Sequence, residues 1–421
     1  MKKVLIIIYY WPPSGGAGVQ RWLKFAKYLP EFGWEPVILT VDPKYAVYPA
    51  IDNSLEKEVS NNIKVYRTAT IDWFRFYSSN KSKVPSAGFA SNPNNSLKGK
   101  ISRFIRGNFF IPDPRRGWNK FAFAKACEII EKEKITTIVT SSPPHSTQLI
   151  GLKLKKRFKE LKWIADMRDP WTDIYYYDLF YPTWLSKKID ASYEKSVLKN
   201  ADKIIAVGHL LKELFESKMS ETASKTEVIT NGFDESDFEN CTKCEPSKFT
   251  ITYVGTLSDK YRLDGYLEAI SSLNRNDIQL RFVGKIPKLI QTNIIRATEG
   301  KTVEFIDYVP HNQAISYMVN SSMLLLLIPE SIENKLIING KLFEYIASLN
   351  PVLCIGPTDG ETAKIISKLN NGACFDYSDK ENIALFINDR INNPDFNGGN
   401  ISEFSRRNLT SRLAALLDDA S

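Results

Sequence analysis

At 421 residues the chain is too long for one ordinary domain and comfortable for two, each able to bury a core. Apolar residues at 43% and charged residues at 25% are the values of a soluble globular protein rather than a disordered one. A net charge of +8 suits an anionic ligand, an anionic membrane or nucleic acid without choosing among them, and five scattered cysteines exclude a disulfide framework.

The chain opens with an apolar run, Val4 to Trp11, which has the first look of a signal peptide. No small-residue cleavage site follows it, so the run reads as a buried first strand. Pro12-Pro13 then leads into Gly15-Gly16-Ala17-Gly18, and Val19, Trp22, Leu23, Ala26 and Leu29 fall at helical spacing before the strand Val37 to Val41. Strand, glycine loop, helix and strand in that order open a doubly wound α/β domain. The alternation continues with a strand at Ile135 to Ser142, a helix at Ser146 to Leu161, and a strand at Trp163 to Asp166. A helix at Asp190 to Lys199 and strands at Ile204 to Val207 and Val228 to Thr230 complete the first half.

A polar segment, Glu235 to Lys248, reads as an interdomain linker. Its Cys241-x-x-Cys244 is half of a zinc site with no second pair or nearby His to complete it. The pattern then restarts. Strands are expected at Phe249 to Val254, Ile278 to Val283, Met323 to Ile328 and Pro351 to Ile355, with helices around Leu263 to Leu273 and Lys341 to Ser348. A last helix spans about Arg406 to Leu417. The expected division is an N-terminal domain over 1–235, a second Rossmann-like domain over 246–400, and a terminal segment, 401–421. No apolar stretch approaches the roughly 20 residues that span a bilayer.

An insertion at about 72–120 stands outside this alternation. Between Asn80 and Lys120 it carries Lys81, Lys83, Lys98, Lys100, Arg103, Arg106, Arg115, Arg116 and Lys120 against one acid, Asp113. Phe104, Ile105, Phe109, Phe110, Ile111 and Trp118 are interleaved, a mixture that suits either a solvated basic face or an anionic membrane surface.

Several residues are placed for chemistry. Gly15, Gly16 and Gly18 let the backbone approach a phosphate at a helix start, or simply form a tight turn. The loop is neither a Walker loop nor the dinucleotide fingerprint. Gly255 and Thr256 follow a strand, and Lys260 and Arg262 come just after them. Two cations there suit a diphosphate, which builds negative charge as its bond to a sugar breaks. Lys341 and Leu342 open a helix whose free N–H groups suit a phosphate, and Glu344 suits a ribose diol. Asp166 to Trp171 ends a strand of the first half, offering Arg168 and Asp169 to a sugar or acceptor, or to a structural pair. His145 lies beyond another strand end, while His209 and His311 read as structural.

Taken together these residues resemble glycosyltransferase family 4, of the two-Rossmann architecture called GT-B. The resemblance rests on the Gly15-Gly16 loop, Asn231-Gly232-Phe233-Asp234, Gly255-Thr256-Leu257 with Arg262, Val303 to Pro310, and Lys341 to Tyr345 with Pro351-Val352. Asp166 to Trp171 and Ile111-Pro112-Asp113 with Trp118 resemble a bacterial surface-polysaccharide branch. The resemblance implies two facing domains with the active site in the cleft between them, and a last helix crossing back to the first domain. It implies a UDP- or GDP-linked sugar donor held mainly by the second domain, at Gly255, Thr256, Gly284, Val309, Lys341, Leu342 and Glu344. The glycine loop assists on the donor side, and Arg262, Lys260, Asp169 and His145 serve catalysis. The acceptor, a saccharide or a polyprenyl-linked saccharide, falls to the first domain, with Asp113, Arg116, Trp118 and Arg168 on that side. Transfer of a hexosyl or N-acetylhexosaminyl group with retention, no cofactor and no metal, is implied, in the cytoplasm or on the inner face of its membrane. Thr256 stands where the family carries Arg or Lys, which leaves Arg262 and Lys260 for the diphosphate; Leu336 stands where the family has an earlier Glu. Two other classes compete: a UDP-sugar 2-epimerase, for which three histidines are few, and a non-catalytic nucleotide-sugar-binding subunit. Nucleic-acid binding ranks lowest, since no recognised module is present.

Overall fold

The computed structural model describes residues 1–46, 48, 50–71, 73, 96–239 and 241–420. Lys81 and Lys83, with most of the first half of the basic insertion, lie outside the described residues. The chain divides into two compact units, the first of residues 1–230 and 406–421, the second of residues 231–405.

The first unit is built on a seven-stranded parallel sheet. Its strands in chain order are β1 (Lys2–Ile7), β2 (Trp34–Val41), β3 (Lys64–Thr68), β4 (Thr137–Ser142), β5 (Lys162–Met167), β6 (Lys203–Ala206) and β7 (Thr226–Val228), and their order in the sheet is β3-β2-β1-β4-β5-β6-β7. Successive side chains of β1 point to opposite faces. Leu5 and Ile7 enter one buried cluster and Val4 and Ile6 another, so the sheet is covered on both sides, as an all-parallel sheet requires. Among the described residues the helices of this unit are α1 (Ala17–Tyr28), α2 (Leu97–Phe109), α3 (Asn119–Glu133), α4 (Gln148–Arg157), α5 (Trp184–Asn200) and α6 (His209–Lys218).

The second unit repeats the plan. Strands β8 (Phe249–Val254), β9 (Ile278–Val283), β10 (Thr302–Ile306), β11 (Met323–Leu327), β12 (Val352–Ile355) and β13 (Gly372–Phe375) form a parallel sheet in the order β10-β9-β8-β11-β12-β13. Its helices are α7 (Asp264–Ser272), α8 (Lys288–Ala297), α9 (His311–Val319), α10 (Lys341–Ala347), α11 (Glu361–Lys368) and α12 (Lys380–Asn392). The last helix, α13 (Arg406–Ala420), belongs to the first unit, where Leu409, Leu413 and Leu417 pack with Trp22 and Leu23 of α1.

Three local expectations need adjustment. The division between units falls at Asn231 rather than within the polar stretch after Glu235: Phe233 packs among second-unit core residues, and its N–H donates to the Phe404 carbonyl. The terminal segment begins at Arg406, since residues 401–405 stay with the second unit. The helix after Pro144 is shorter than its apolar stripe, because His145–Thr147 form a tight 3-10 turn and Phe158 is already extended.

Candidate active site

In each parallel sheet the neighbouring strands β1 and β4, or β8 and β11, send their following connections to opposite sides. Such a switch point leaves a crevice at the carboxyl ends of the strands, where open α/β sheets bind ligands. The expected site residues gather at these two places, one in each unit.

At the switch point of the second unit, Gly255 follows β8 with φ of +147° and Gly284 follows β9 with φ of +120°. A Cβ at Gly284 would collide with the Gly255 carbonyl, while one at Gly255 would push aside the movable end of Lys341, so close backbone approach demands glycine at 284 and the positive φ favours it at 255. What brings Lys341 there is Tyr345. That side chain is fully buried, and its hydroxyl accepts the N–H of Val254, the last residue of β8, at 2.9 Å. Lys341 is one helical turn earlier on the same face of α10 and therefore stands over Gly255. Its ammonium lies 5.7 Å from the Tyr253 ring centroid and has no hydrogen bond or salt bridge among the described residues. Burial pushes its pKa below the ordinary lysine value, against the opposing pull of Glu344.

Glu344 is partly exposed, with an oxygen 4.0 Å from Nε2 of His311. His311 also lies 3.4 Å from Asp237, so this histidine, expected to be structural, stands between two carboxylates beside the helix. Tyr253 donates its hydroxyl to the Thr256 carbonyl at 3.0 Å, fixing the turn. Val309 is partly buried against the core.

The two cations expected to hold a diphosphate fare differently. Arg262 is an exposed side chain already paired with Asp264 at 3.2 Å and Glu330 at 3.1 Å, and those hydrogen bonds hold its pKa above the ordinary value. It is no unencumbered cation. Lys260 is partly buried, burial pushes its pKa down, and its carbonyl receives the Glu330 N–H. Two further expectations are corrected. The side chain of Leu342 is fully buried in the core. The first N–H groups of α10 are also taken, Lys341 donating to the Asn339 side-chain oxygen and Leu342 to the Asn339 carbonyl.

The first unit gathers its residues at the ends of β1, β4 and β5. Gly16 caps α1 with φ of +105°, while the Gly15 N–H is spent on the Ala50 carbonyl at 3.0 Å. Arg168, expected on the acceptor side, is a clamp. Its guanidinium donates to the carbonyls of Ser142 at 2.9 Å, Gly18 at 3.1 Å and Pro143 at 3.2 Å, tying the start of α1 to the end of β4. A cavity of about 10 Å³, roughly the space of one water, lies beside it, lined by Tyr10, Gly18, Ser141 and Pro143. Asp169 is partly buried and makes no hydrogen bond to a described residue, and burial raises its pKa against the pull of Arg168.

His145 is held by packing rather than by hydrogen bonds. Its ring stacks on Trp171 with centroids 4.9 Å apart, and neither ring nitrogen meets solvent or a hydrogen-bond partner. Burial, reinforced by Arg168 and Lys218, pushes its pKa down to about 3, so the imidazole is neutral and weakly basic. Asp113 is a structural cap as well: its carboxylate accepts from the N–H of Arg115 and from the N–H and hydroxyl of Ser146. Trp118 is fully buried, edge-on to Tyr9, with its indole N–H on the Thr68 hydroxyl. Arg116 is exposed and donates to the Ile111 carbonyl.

Beneath this site lies a pair that reading the sequence missed. Arg21 and Asp166 are both fully buried and meet at 3.0 Å. Asp166 also accepts from the Trp22 indole at 2.8 Å and the Ser141 hydroxyl at 2.6 Å, and Arg21 donates to the carbonyls of Ile229 and Thr230. The available signal was a single Arg on the apolar face of α1.

Sequence comparison bears on what these switch points are for. The model of Glycosyltransferase Family 4 matches residues 15–237. The chain belongs to glycosyltransferase family 4. Solved structures agree with the fold. Anabaena HepE, determined with UDP, is 12% identical, with 99% of this chain and 95% of that chain covered and a TM-score of 0.59. WaaB, a lipopolysaccharide outer core galactosyltransferase determined in its apo form, is 13% identical, with 99% of each chain covered and a TM-score of 0.59. WaaG, a glycosyltransferase involved in lipopolysaccharide biosynthesis, is 11% identical, with 99% and 95% covered and a TM-score of 0.53. At these identities the likeness is one of fold. No curated protein matches the chain by sequence. The protein is thus a glycosyltransferase of GT-B architecture, an α/β enzyme with two Rossmann-like domains. Among the described residues no helix of this family member is long and apolar enough to cross a membrane, and no cluster of His, Cys, Asp and Glu is suited to a metal ion.

Proposed function

We propose that this glycosyltransferase moves a hexosyl or N-acetylhexosaminyl group, with retention, from a UDP- or GDP-linked donor to a saccharide or polyprenyl-linked saccharide, in the synthesis of a bacterial cell-surface polysaccharide. The donor diphosphate sits at the second-unit switch point, over Gly255 and Gly284, with Lys341 as its principal cation. The observation that carries this reading is the Lys341 ammonium, partly desolvated and unpaired above a glycine turn at the end of β8. HepE bound to UDP and to UDP-glucose supports a nucleotide-sugar for the same fold.

The chemistry follows from charge. As the bond from the anomeric carbon to the diphosphate oxygen breaks, that oxygen gains negative charge. A cation already in place, and not neutralised by a carboxylate, favours the breaking state over the ground state without reorganisation. Lys341 thereby stands in for the cation that the family carries where Thr256 stands here. Arg262, held by Asp264 and Glu330, contributes to the turn. Glu344 takes the ribose hydroxyls. Asp169, which makes no hydrogen bond to a described residue, contacts the sugar or the acceptor. No cofactor and no metal enters the reaction. The enzyme works in the cytoplasm, at the inner face of the membrane that carries a lipid-linked acceptor.

Thermal-shift titration with UDP, GDP, CDP and their sugar conjugates tests this. One nucleotide should stabilise the protein selectively. Lys341→Ala should weaken it about 10- to 100-fold, as expected for loss of a charge-assisted contact. Arg262→Ala should weaken it less than tenfold. The opposite ranking would return the diphosphate to Arg262, and no stabilisation by any nucleotide would remove the donor site from this switch point.

A further inference from the structure

Lys341 and Glu344 have opposite charge and stand three residues apart on α10, yet the lysine forms no salt bridge with the carboxylate. Side chains at that spacing ordinarily attract one another. Here the carboxylate faces another group. Its Oε1 lies 4.0 Å from Nε2 of His311, and the same ring nitrogen lies 3.4 Å from Oδ2 of Asp237. A ring nitrogen facing two carboxylates carries its hydrogen, since a lone pair in that place would be repelled by both.

The fold brings the three groups together from separate stretches of the second unit. His311 is the first residue of α9. Ile315, one turn on, is buried in the cluster that holds Leu342, Phe343 and Ile346 of α10, so the stripe of α9 that includes His311 faces α10. Asp237 arrives from the other side. Phe233 and Phe238 pack in the same cluster, edge-on to each other with centroids 6.3 Å apart. Between them the chain makes the short turn Glu235–Asp237, in which the Asp237 N–H donates to the Asp234 carbonyl.

We propose that His311, held by Asp237, is a positioning residue that keeps Glu344 aimed at the donor ribose and away from the Lys341 ammonium. The proposal rests on the donor site described under the proposed function. A rise of about 1.5 Å per residue puts Glu344 about 4.5 Å along α10 from Lys341, so a nucleotide with its diphosphate on Lys341 has its ribose beside Glu344. Without the ring, the carboxylates of Asp237 and Glu344 repel, and Glu344 can turn to Lys341 and neutralise the cation that the diphosphate needs. A glutamate side chain also has several rotatable bonds. Fixing it in advance removes the entropy of ordering it when nucleotide binds.

The test is calorimetric titration of the whole chain with UDP, GDP and their 2′-deoxy counterparts. The ribonucleotide that binds should do so about tenfold more tightly than its deoxy form, the worth of one charge-assisted hydrogen bond to a partly exposed carboxylate. His311→Ala should cut that preference below about threefold, and His311→Gln, whose amide N–H reaches to the same place, should restore it. In a Glu344→Ala background, His311→Ala should change ribonucleotide affinity by less than about twofold, because the ring acts through that carboxylate. Lys341→Ala should weaken both forms and leave the preference in place. A preference unchanged in His311→Ala, a preference lost equally in His311→Gln, or additive effects of His311→Ala and Glu344→Ala would overturn the inference and leave the diphosphate site standing. No binding of either ribonucleotide, or equal binding of ribo and deoxy forms by the wild-type chain, would instead sink the donor reading itself, and the inference with it.

Discussion

Asp166 accepts hydrogen bonds from Arg21, Trp22 and Ser141 with no access to water, and Arg21 spends its remaining donors on the carbonyls that follow β7. A buried pair so fully satisfied is neutral to stability while intact, and expensive when one partner goes. Asp166→Ala should cost roughly 3–5 kcal/mol in denaturant unfolding, most of it from the stranded guanidinium. His145 gives a prediction of a different kind. Its unfolded imidazole titrates near 6.5, and its folded one at about 3. Between these values the unfolded state binds the extra proton, so stability present above pH 6.5 is lost as pH falls toward 3. His145→Phe keeps a ring against Trp171 and removes the titration. Compared with the variant, the wild-type protein should lose roughly 3 kcal/mol between pH 7 and pH 4, measured by unfolding at each pH. Parallel pH profiles would mean that the imidazole reaches water after all. Lys341 differs from both: its ammonium stands over Gly255 with no hydrogen bond or salt bridge among the described residues.

At the scale of elements, position is set by a few anchoring groups. Tyr345 seats α10 on the end of β8, and so places Lys341 and Glu344 together. Arg168 ties the start of α1 to the end of β4 by three carbonyls, which keeps the glycine loop close to that strand end. Helix α13 covers one face of the first sheet, with Leu413 fully buried, Arg412 donating to the Val228 carbonyl and Asp418 meeting Lys2 at 2.8 Å. Since Leu413 packs in the cluster that holds Trp22 and Leu23, Leu413→Ala should cost about 2–5 kcal/mol in unfolding monitored by tryptophan fluorescence. A change under about 1 kcal/mol would mean that α13 adds little to the first unit. Helix α2 is the contrasting case, an element held by arginines and a glycine, with Leu97 and Ile101 of its apolar stripe exposed among the described residues.

At the scale of the whole molecule, the α/β class and the repeated plan were legible in the sequence. A strand covered on both faces reads as an unbroken apolar run, and Gly or Asn-Gly punctuates the turns that follow. Both signals are local, and β1, β2, β4, β5, β6, β8, β9, β11 and β12 were found from them, with β7 placed two residues late. β3, β10 and β13 have weaker burial and were not picked out as strands. The family, too, was legible, because motif order and spacing survive in one dimension. Site residues were legible only as a neighbourhood. Asp113, Trp118, His145 and Arg168 were expected to serve a ligand, yet among the described residues they cap, pack or clamp, since a side chain's partners come from elements far away in sequence. Arg262 looked like an available cation until Glu330 arrived from another loop, and Lys341 looked like the first residue of a helix until Tyr345 set it over Gly255. Sequence by itself determined the elements and the plan, because hydrophobic periodicity and glycine act over a few residues. Only the tertiary structure decided which charges are spent and which remain free, because pairing and desolvation depend on what the fold brings alongside.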